Sequence, residues 1–186
     1  MQTKRPDPAT RRTQLLDAAD AVFRTHGVNA PLELVVERAG VGRATLYRQF
    51  PDRHAILLAL MERSAERLCV RAQGLSERAD AFFALLQYMA DRIVHSPALS
   101  DYWRTTDLRD PRVIAARQQI WSAFAAALQR AQEAGLLRAD LQLGDLSLLS
   151  GMLGAALRGN TEAERRRLVE RALDIIHFGL RPQPRP

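Results

Sequence analysis

A single cysteine, Cys69, serves a chain of 186 residues, so no disulfide can close within it and no multi-cysteine metal site can form. Lysine is almost missing too: of 27 basic residues only Lys4 is not arginine. Aromatic residues make up 6% of the chain, and its ten glycines and nine prolines are too few for a collagen-like or low-complexity sequence. No apolar run approaches the ~18 residues of a membrane span. The opening MQTKRPDPATRRTQ is polar and lacks the apolar stretch of a secretory leader. The expectation is a cytoplasmic protein with no membrane partner. No segment alternates apolar and polar residues over strand length, no hairpin dipeptide sits between β-branched runs, and no unit repeats.

What is present is helical spacing punctuated by glycine and proline. Leu15, Leu16, Ala19, Val22 and Phe23 fall on one face of a helix over residues 9–26, with Gly27 placed as its C-terminal cap. Pro31 suits the first turn of a short helix over 32–39. Gly40-Val41-Gly42 forms a turn, and a third helix follows over 43–50. Pro51 stops that helix and Asp52 can cap a longer one running to about residue 72. Further helices are expected over 80–96, around Tyr102 and Trp103, from Asp110-Pro111 to Gly135, over 145–158, and from a Thr161/Glu164 capping box to Gly179. In the helix after Pro111, Val113, Ile114, Ile120, Trp121, Phe124 and Leu128 are expected to face inward. The fold class is all-α with about nine helices. A head of short helices over 1–52 precedes a body of long ones over 53–180, and a flexible tail covers 181–186.

Two short helices around a glycine-bearing turn, about residues 31–50, make a helix-turn-helix. On the third helix Leu46 and Phe50 share the side that packs inward. The opposite arc presents Ala44, Thr45 and Arg48, flanked by Tyr47 and Gln49, with Arg43 in the first turn. A major groove admits one α-helix, arginine pairs with guanine and glutamine with adenine, and hydroxyls reach phosphates. Charge is concentrated here. The net +6 divides into +3 on residues 1–53 and +3 on the much longer 54–186, and Arg38, Arg43, Arg48 and Arg53 are opposed only by Asp52 within their own stretch. Lys4, Arg5, Arg11 and Arg12 add to the head. The plainer reading is a solvated charged face.

The run from Ala39 to Arg53, AGVGRATLYRQFPDR, closely resembles the signature of the TetR family of bacterial transcriptional regulators. Leu15 through Phe23, with His26-Gly27, is similar to that family's first helix. The resemblance covers about residues 9–70. It implies a homodimer that binds a palindromic double-stranded DNA operator, most often as a repressor, and releases it when a small-molecule effector binds. It places Arg43, Ala44, Tyr47, Arg48 and Gln49 toward the operator, beside Thr45 of the same arc. Arg53 stands where the family usually has a phosphate-contacting lysine, keeping the charge but forking the contact. Pro31-Leu32 replaces the threonine or serine that many members carry there, leaving backbone N–H groups for that contact.

Elsewhere the sequence offers little chemistry. Four histidines, His26, His54, His95 and His177, have no second ligand at metal spacing, and no nucleophile or paired-carboxylate constellation stands out. No metal, no cofactor and no enzyme activity are expected. Asp107 and Asp110 read as turn and capping residues. Cys69 reads as a small buried apolar residue, with a redox role left open. Phe83, Tyr88, Trp103, Trp121 and Met152 are candidates for the wall of an apolar ligand cavity, against plain core packing. Leu149, Leu153, Ala156, Leu168, Ala172 and Ile176 on the last two helices either cap the core or meet a second subunit about a two-fold axis. The resemblance favours the subunit contact. The alternative is a helical ligand-binding or interaction protein without sequence-specific DNA binding.

Overall fold

A computed structural model describes residues 7–182. Lys4, Arg5 and residues 183–186 of the expected tail lie outside them. Among the described residues the chain forms nine α-helices and no strand. They are α1 Pro8–His26, α2 Leu32–Ala39, α3 Arg43–Gln49, α4 Arg53–Gln73, α5 Ala81–His95, α6 Pro97–Thr105, α7 Pro111–Glu133, α8 Leu146–Gly154 and α9 Glu162–Leu180.

Capping chemistry sets most of these boundaries. The side chains of Asp7, Asp52 and Asp110 accept hydrogen bonds from the N–H groups of Thr10, Ala55 and Arg112, each at 2.8 Å, and so start α1, α4 and α7. Glu164 N–H donates to Thr161 Oγ1 at 3.1 Å while the Glu164 carboxylate accepts from Thr161 N–H, which closes the box at α9. Gly40 ends α2 with φ +64°, a left-handed conformation that other residues adopt only with strain. Pro31 sits one position earlier than its spacing suggests. It is the cap of α2 and not part of its first turn, so the first N–H groups of α2 have no side-chain partner. The stretch expected as one helix over 145–158 is divided. A 3-10 turn over Leu143–Asp145 leads into α8, and a second over Ala155–Arg158 follows it. The tightening brings Gly159 against α9, where a Cβ would lie 2.7 Å from the backbone nitrogen of Arg165.

Two apolar cores result. In the head, Leu15, Ala19, Phe23, Val35, Leu46 and Phe50 pack together. That core does not stop at residue 52, because Ile56, Leu57, Leu60 and Met61 of α4 complete it, with Leu99 of α6 and Val113 of α7. In the body, Phe82, Leu86, Phe124, Leu149, Leu153, Val169 and Ile176 form the second core. Helix α4 takes part in both, since Leu68 near its far end belongs to the body. It runs beside α7 in the same direction. Arg112 donates a forked pair of hydrogen bonds to Glu62 at 2.6 and 2.7 Å, and one turn or two further on Cys69 faces the carbonyl of Gln119. Ile114 does not face inward as its neighbour Val113 does; it points to solvent, one position off the buried stripe of α7.

Candidate nucleic-acid interface and ligand cavity

Helix α3 is anchored by one side. Leu46 is fully buried (0% exposed) and Phe50 closes the helix beneath it. The guanidinium of Arg12 lies over the Phe50 ring, 4.4 Å from its centre. This anchoring turns Arg43, Ala44, Tyr47 and Arg48 outward, all exposed, with Thr45 and Gln49 half-buried at the edges of the same arc. Arg48 donates to Thr45 Oγ1 at 3.2 Å, which holds its side chain along the helix. Arg43 pairs with Glu33 of α2 at 2.8 Å, a partner the local charge count misses because it lies outside the Arg38–Arg53 stretch. Both groups are exposed, and such a pair contributes little and exchanges readily for another anion.

Arg53 makes contacts within the chain that its spacing does not announce. Its Nη1 donates to the carbonyls of Val28 (2.7 Å) and Ala30 (2.6 Å), and its guanidinium lies 5.8 Å from the centre of the Phe23 ring. Nη1 alone makes both bonds and ties the α1–α2 loop to the start of α4. The reason is geometric. Those carbonyls have no helical partner, and a charged donor beside them satisfies both at once.

Two further ties hold α4 in place, the first to the head and the second to α6 and α7. Arg63 of α4 donates to Asp17 of α1 at 2.6 Å and to the Leu16 carbonyl at 3.1 Å. His54, in the first turn of α4, stands between the Tyr102 hydroxyl (2.6 Å from Nδ1) and Asp110 (3.3 Å from Nε2). With the proton on Nε2, the ring donates to the carboxylate and accepts from Tyr102. Asp110 therefore both caps α7 and faces His54; the Arg112 N–H first, and His54 after it, hold its carboxyl below the usual range. Sequence spacing gave no sign of this junction, since its members are 48 and 56 positions apart.

A cavity of about 320 Å³ opens between α4, α5, α6, α7 and α8. Tyr88, Trp103 and Trp121 line it, as do Ser64 and Leu68 of α4. Phe83 and Met152 do not. Phe83 points the other way around α5, edge-on to His177 of α9 with ring centres 4.8 Å apart, and Met152 faces outward from α8. Burial of His177 in that contact lowers its pKa, and its Nε2 finds no hydrogen-bond partner among the described residues. Among the lining residues that sequence reasoning missed, the polar ones include Arg92, Arg104 and Arg117, with Ser96, Ser100 and Ser147. They come from four helices and the Ser96 link between two of them, so no local pattern could collect them. Trp103 also packs against the head core, so one side chain touches both regions. Cys69 is half-buried and burial pushes its thiol pKa up, away from thiolate chemistry.

The expected subunit-contact residues divide in the same way. Leu149, Leu153, Ala156 and Ile176 are buried in the chain's own core and have no surface to offer a second copy. Each buried leucine contributes about 1.5–3 kcal/mol to the fold where it is. Leu168 is exposed and Ala172 half-buried, and beside them Ile175, Phe178 (74% exposed), Leu148 and Met152 are exposed as well. No helix among the described residues is long and apolar enough to cross a membrane, and no group of three or more metal-ligating side chains converges there.

Comparison with known proteins agrees with this geometry at both ends of the chain. Residues 15–60 match the model of bacterial regulatory proteins of the tetR family. Residues 77–182 match the C-terminal domain of SbtR-like transcriptional regulators. A TetR transcriptional regulator of Streptomyces coelicolor is 32% identical in sequence and superposes with a TM-score of 0.67, over 93% of this chain and 99% of that one. An uncharacterised HTH-type transcriptional regulator of Mycobacterium tuberculosis is 30% identical over 64% of each chain, so this chain matches less than two-thirds of that relative's length. The HTH-type transcriptional repressor AcnR of Corynebacterium diphtheriae is 26% identical over 92% of each. Family and fold are those of transcriptional regulators and not of enzymes. With matches to both its head and its body, the chain belongs to the TetR family.

Proposed function

We propose that the protein is a transcriptional repressor that binds a palindromic DNA operator as a homodimer and releases it when a small molecule occupies the cavity of the body. The observation that carries the DNA-binding part is the division of α3 into a fully buried anchor, Leu46, and an exposed polar arc. Arg48 and Gln49 are the base-reading candidates, Tyr47, Thr45 and Arg43 the backbone contacts, and Ala44 permits close approach. The uncapped N–H groups at the start of α2 supply a further phosphate contact. Arg53 is assigned to positioning of the α1–α2 loop. Repression follows the named role of the corynebacterial relative. A DNA-reading bacterial protein of this kind works in the cytoplasm.

The dimer is supported by the exposed apolar stripe of α9, where Leu168, Ala172, Ile175 and Phe178 recur at helical spacing, continued by Leu148 and Met152 of α8. Two copies of this stripe bury each other about a two-fold axis. That pairing sets the two α3 helices one DNA turn apart, ~34–36 Å. The release step is a population shift. A ligand that favours a second arrangement of α4, α6 and Trp103 changes the spacing of the heads and lowers operator affinity.

Fluorescence anisotropy on DNA taken from upstream of the protein's own gene tests the reading. Wild-type protein is expected to bind with an affinity that falls steeply with salt. Arg48→Ala is expected to lose most of that binding without losing helicity. Salt-insensitive binding, or an Arg48→Ala variant that binds as well as wild type, supports the alternative of a helical ligand-binding protein without DNA recognition.

A further inference from the structure

The lining of the cavity is unbalanced in charge. Three guanidinium groups edge it, Arg92, Arg104 and Arg117, and no carboxylate does. The three differ in how they are occupied. Arg104 reaches Asp101 at 3.4 Å, and its aliphatic part lies across Gly154, where a Cβ would stand 3.1 Å from its Cδ. Arg92 donates to the Ser96 hydroxyl at 2.9 Å and lies 4.0 Å from Asp20 of α1. Arg117 is half-buried, and its partner is the Ser147 hydroxyl at 3.5 Å, the outer limit of a hydrogen bond. Among the described residues no salt bridge reaches it. A partly desolvated cation facing an apolar cavity without a counter-charge is costly unless something else supplies the anion.

We propose that the cavity takes a small organic anion, an apolar chain or ring bearing a carboxylate. The carboxylate meets Arg117 and the neighbouring Ser147 hydroxyl, with Arg92 supplying a second positive charge. The apolar part lies against Trp103, Trp121 and Ile120. The volume of about 320 Å³ is the space of about ten water molecules, which suits a small acid rather than a long-chain lipid. An organic cation meets three like charges and is rejected. Because Arg92 also faces Asp20, an anion in the cavity competes with a carboxylate of the head for the same guanidinium. This identification rests on reading the cavity as the effector site, and its test uses no DNA.

The chain has two tryptophans, and both line the cavity, so tryptophan emission of the full-length protein reports its filling. Octanoate, octanamide and octylamine offer one chain length with three head groups. Octanoate is expected to bind at least about tenfold more tightly than octanamide, the worth of one charge-assisted hydrogen bond, and octylamine most weakly. Arg117→Gln brings octanoate and octanamide within about threefold of each other, whereas Arg117→Lys keeps a clear preference for the acid. Circular dichroism melts of both variants separate lost charge from lost fold. Octanamide or octylamine binding as tightly as octanoate overturns the proposal. An octanoate titration that leaves emission unchanged overturns it as well, and so does a folded Arg117→Gln protein that keeps the full preference. Each of these leaves operator binding standing. A protein that prefers octanoate and ignores upstream DNA instead contradicts the regulator reading alone.

Discussion

Helices α1 to α3 of the head each hide one stripe and show water the rest, whereas α8 and α9 of the body carry apolar residues on two faces. On α3 the division is complete: Leu46 is buried while Arg43, Tyr47 and Arg48 are exposed. On α9, Val169, Leu173 and Ile176 enter the core while Leu168, Ile175 and Phe178 face outward. A one-sided helix has one partner and a surface free for polar work. A two-sided helix has a second apolar partner to find. The head presents a polar arc, and the body keeps an apolar face outside its own core, the face proposed above to meet a second copy.

The largest way to break this contrast is to remove the body's central aromatic. Phe124→Ala is expected to cost about 3–5 kcal/mol, seen as a large fall in the melting temperature, with loss of the cavity that Trp103 and Trp121 report. Phe178→Glu attacks the other face of the body. It is expected to weaken association by about 2 kcal/mol or more, giving monomers in sedimentation at unchanged helix content. In the head, two arginines five positions apart are expected to behave oppositely. Arg48→Ala costs about 1–3 kcal/mol in operator affinity and leaves the melting curve alone. Arg53→Gln removes two charge-assisted hydrogen bonds worth about 1–3 kcal/mol together at this partly exposed site, so it lowers the melting temperature, and DNA binding weakens only through the fold.

The smallest effect concerns pH. Burial against Phe83 depresses the His177 pKa, so the unfolded chain takes up this proton more readily than the folded one. The stability that follows is fully present above about pH 6.5 and is lost as pH falls through the folded-state value. His177→Phe is expected to flatten the fall in melting temperature between neutral and mildly acid pH. An unchanged slope in that variant contradicts the assignment.

The same contrast explains how much was legible in the sequence. Helix positions were readable wherever a cap or a left-handed glycine marked an end, as at Asp52, Asp110, Thr161 and Gly40, because those devices act within four residues. The arc of α3 was readable because one buried leucine fixes the rest. The loop contacts of Arg53 were not legible, because its carbonyl partners lie more than twenty positions away. In the body, Leu149 and Leu148 are equally apolar neighbours, and no periodicity says which of two apolar faces belongs to the chain's own core. Phe83 and Met152 were misplaced for the same reason. The arginines of the cavity were invisible because a charged residue on an amphipathic helix reads as solvated until a neighbouring helix is laid over it.

Footprinting of DNA upstream of the protein's own gene tests the central claim most directly, because it asks at once for operator, symmetry and register. The account predicts two protected half-sites related by a two-fold axis and about one helical turn, 10–10.5 base pairs, apart or a multiple of it. It also predicts loss of protection with Arg48→Ala, and with Phe178→Glu at low protein concentration. Absence of protection, or a single half-site that survives Phe178→Glu unchanged, would contradict it.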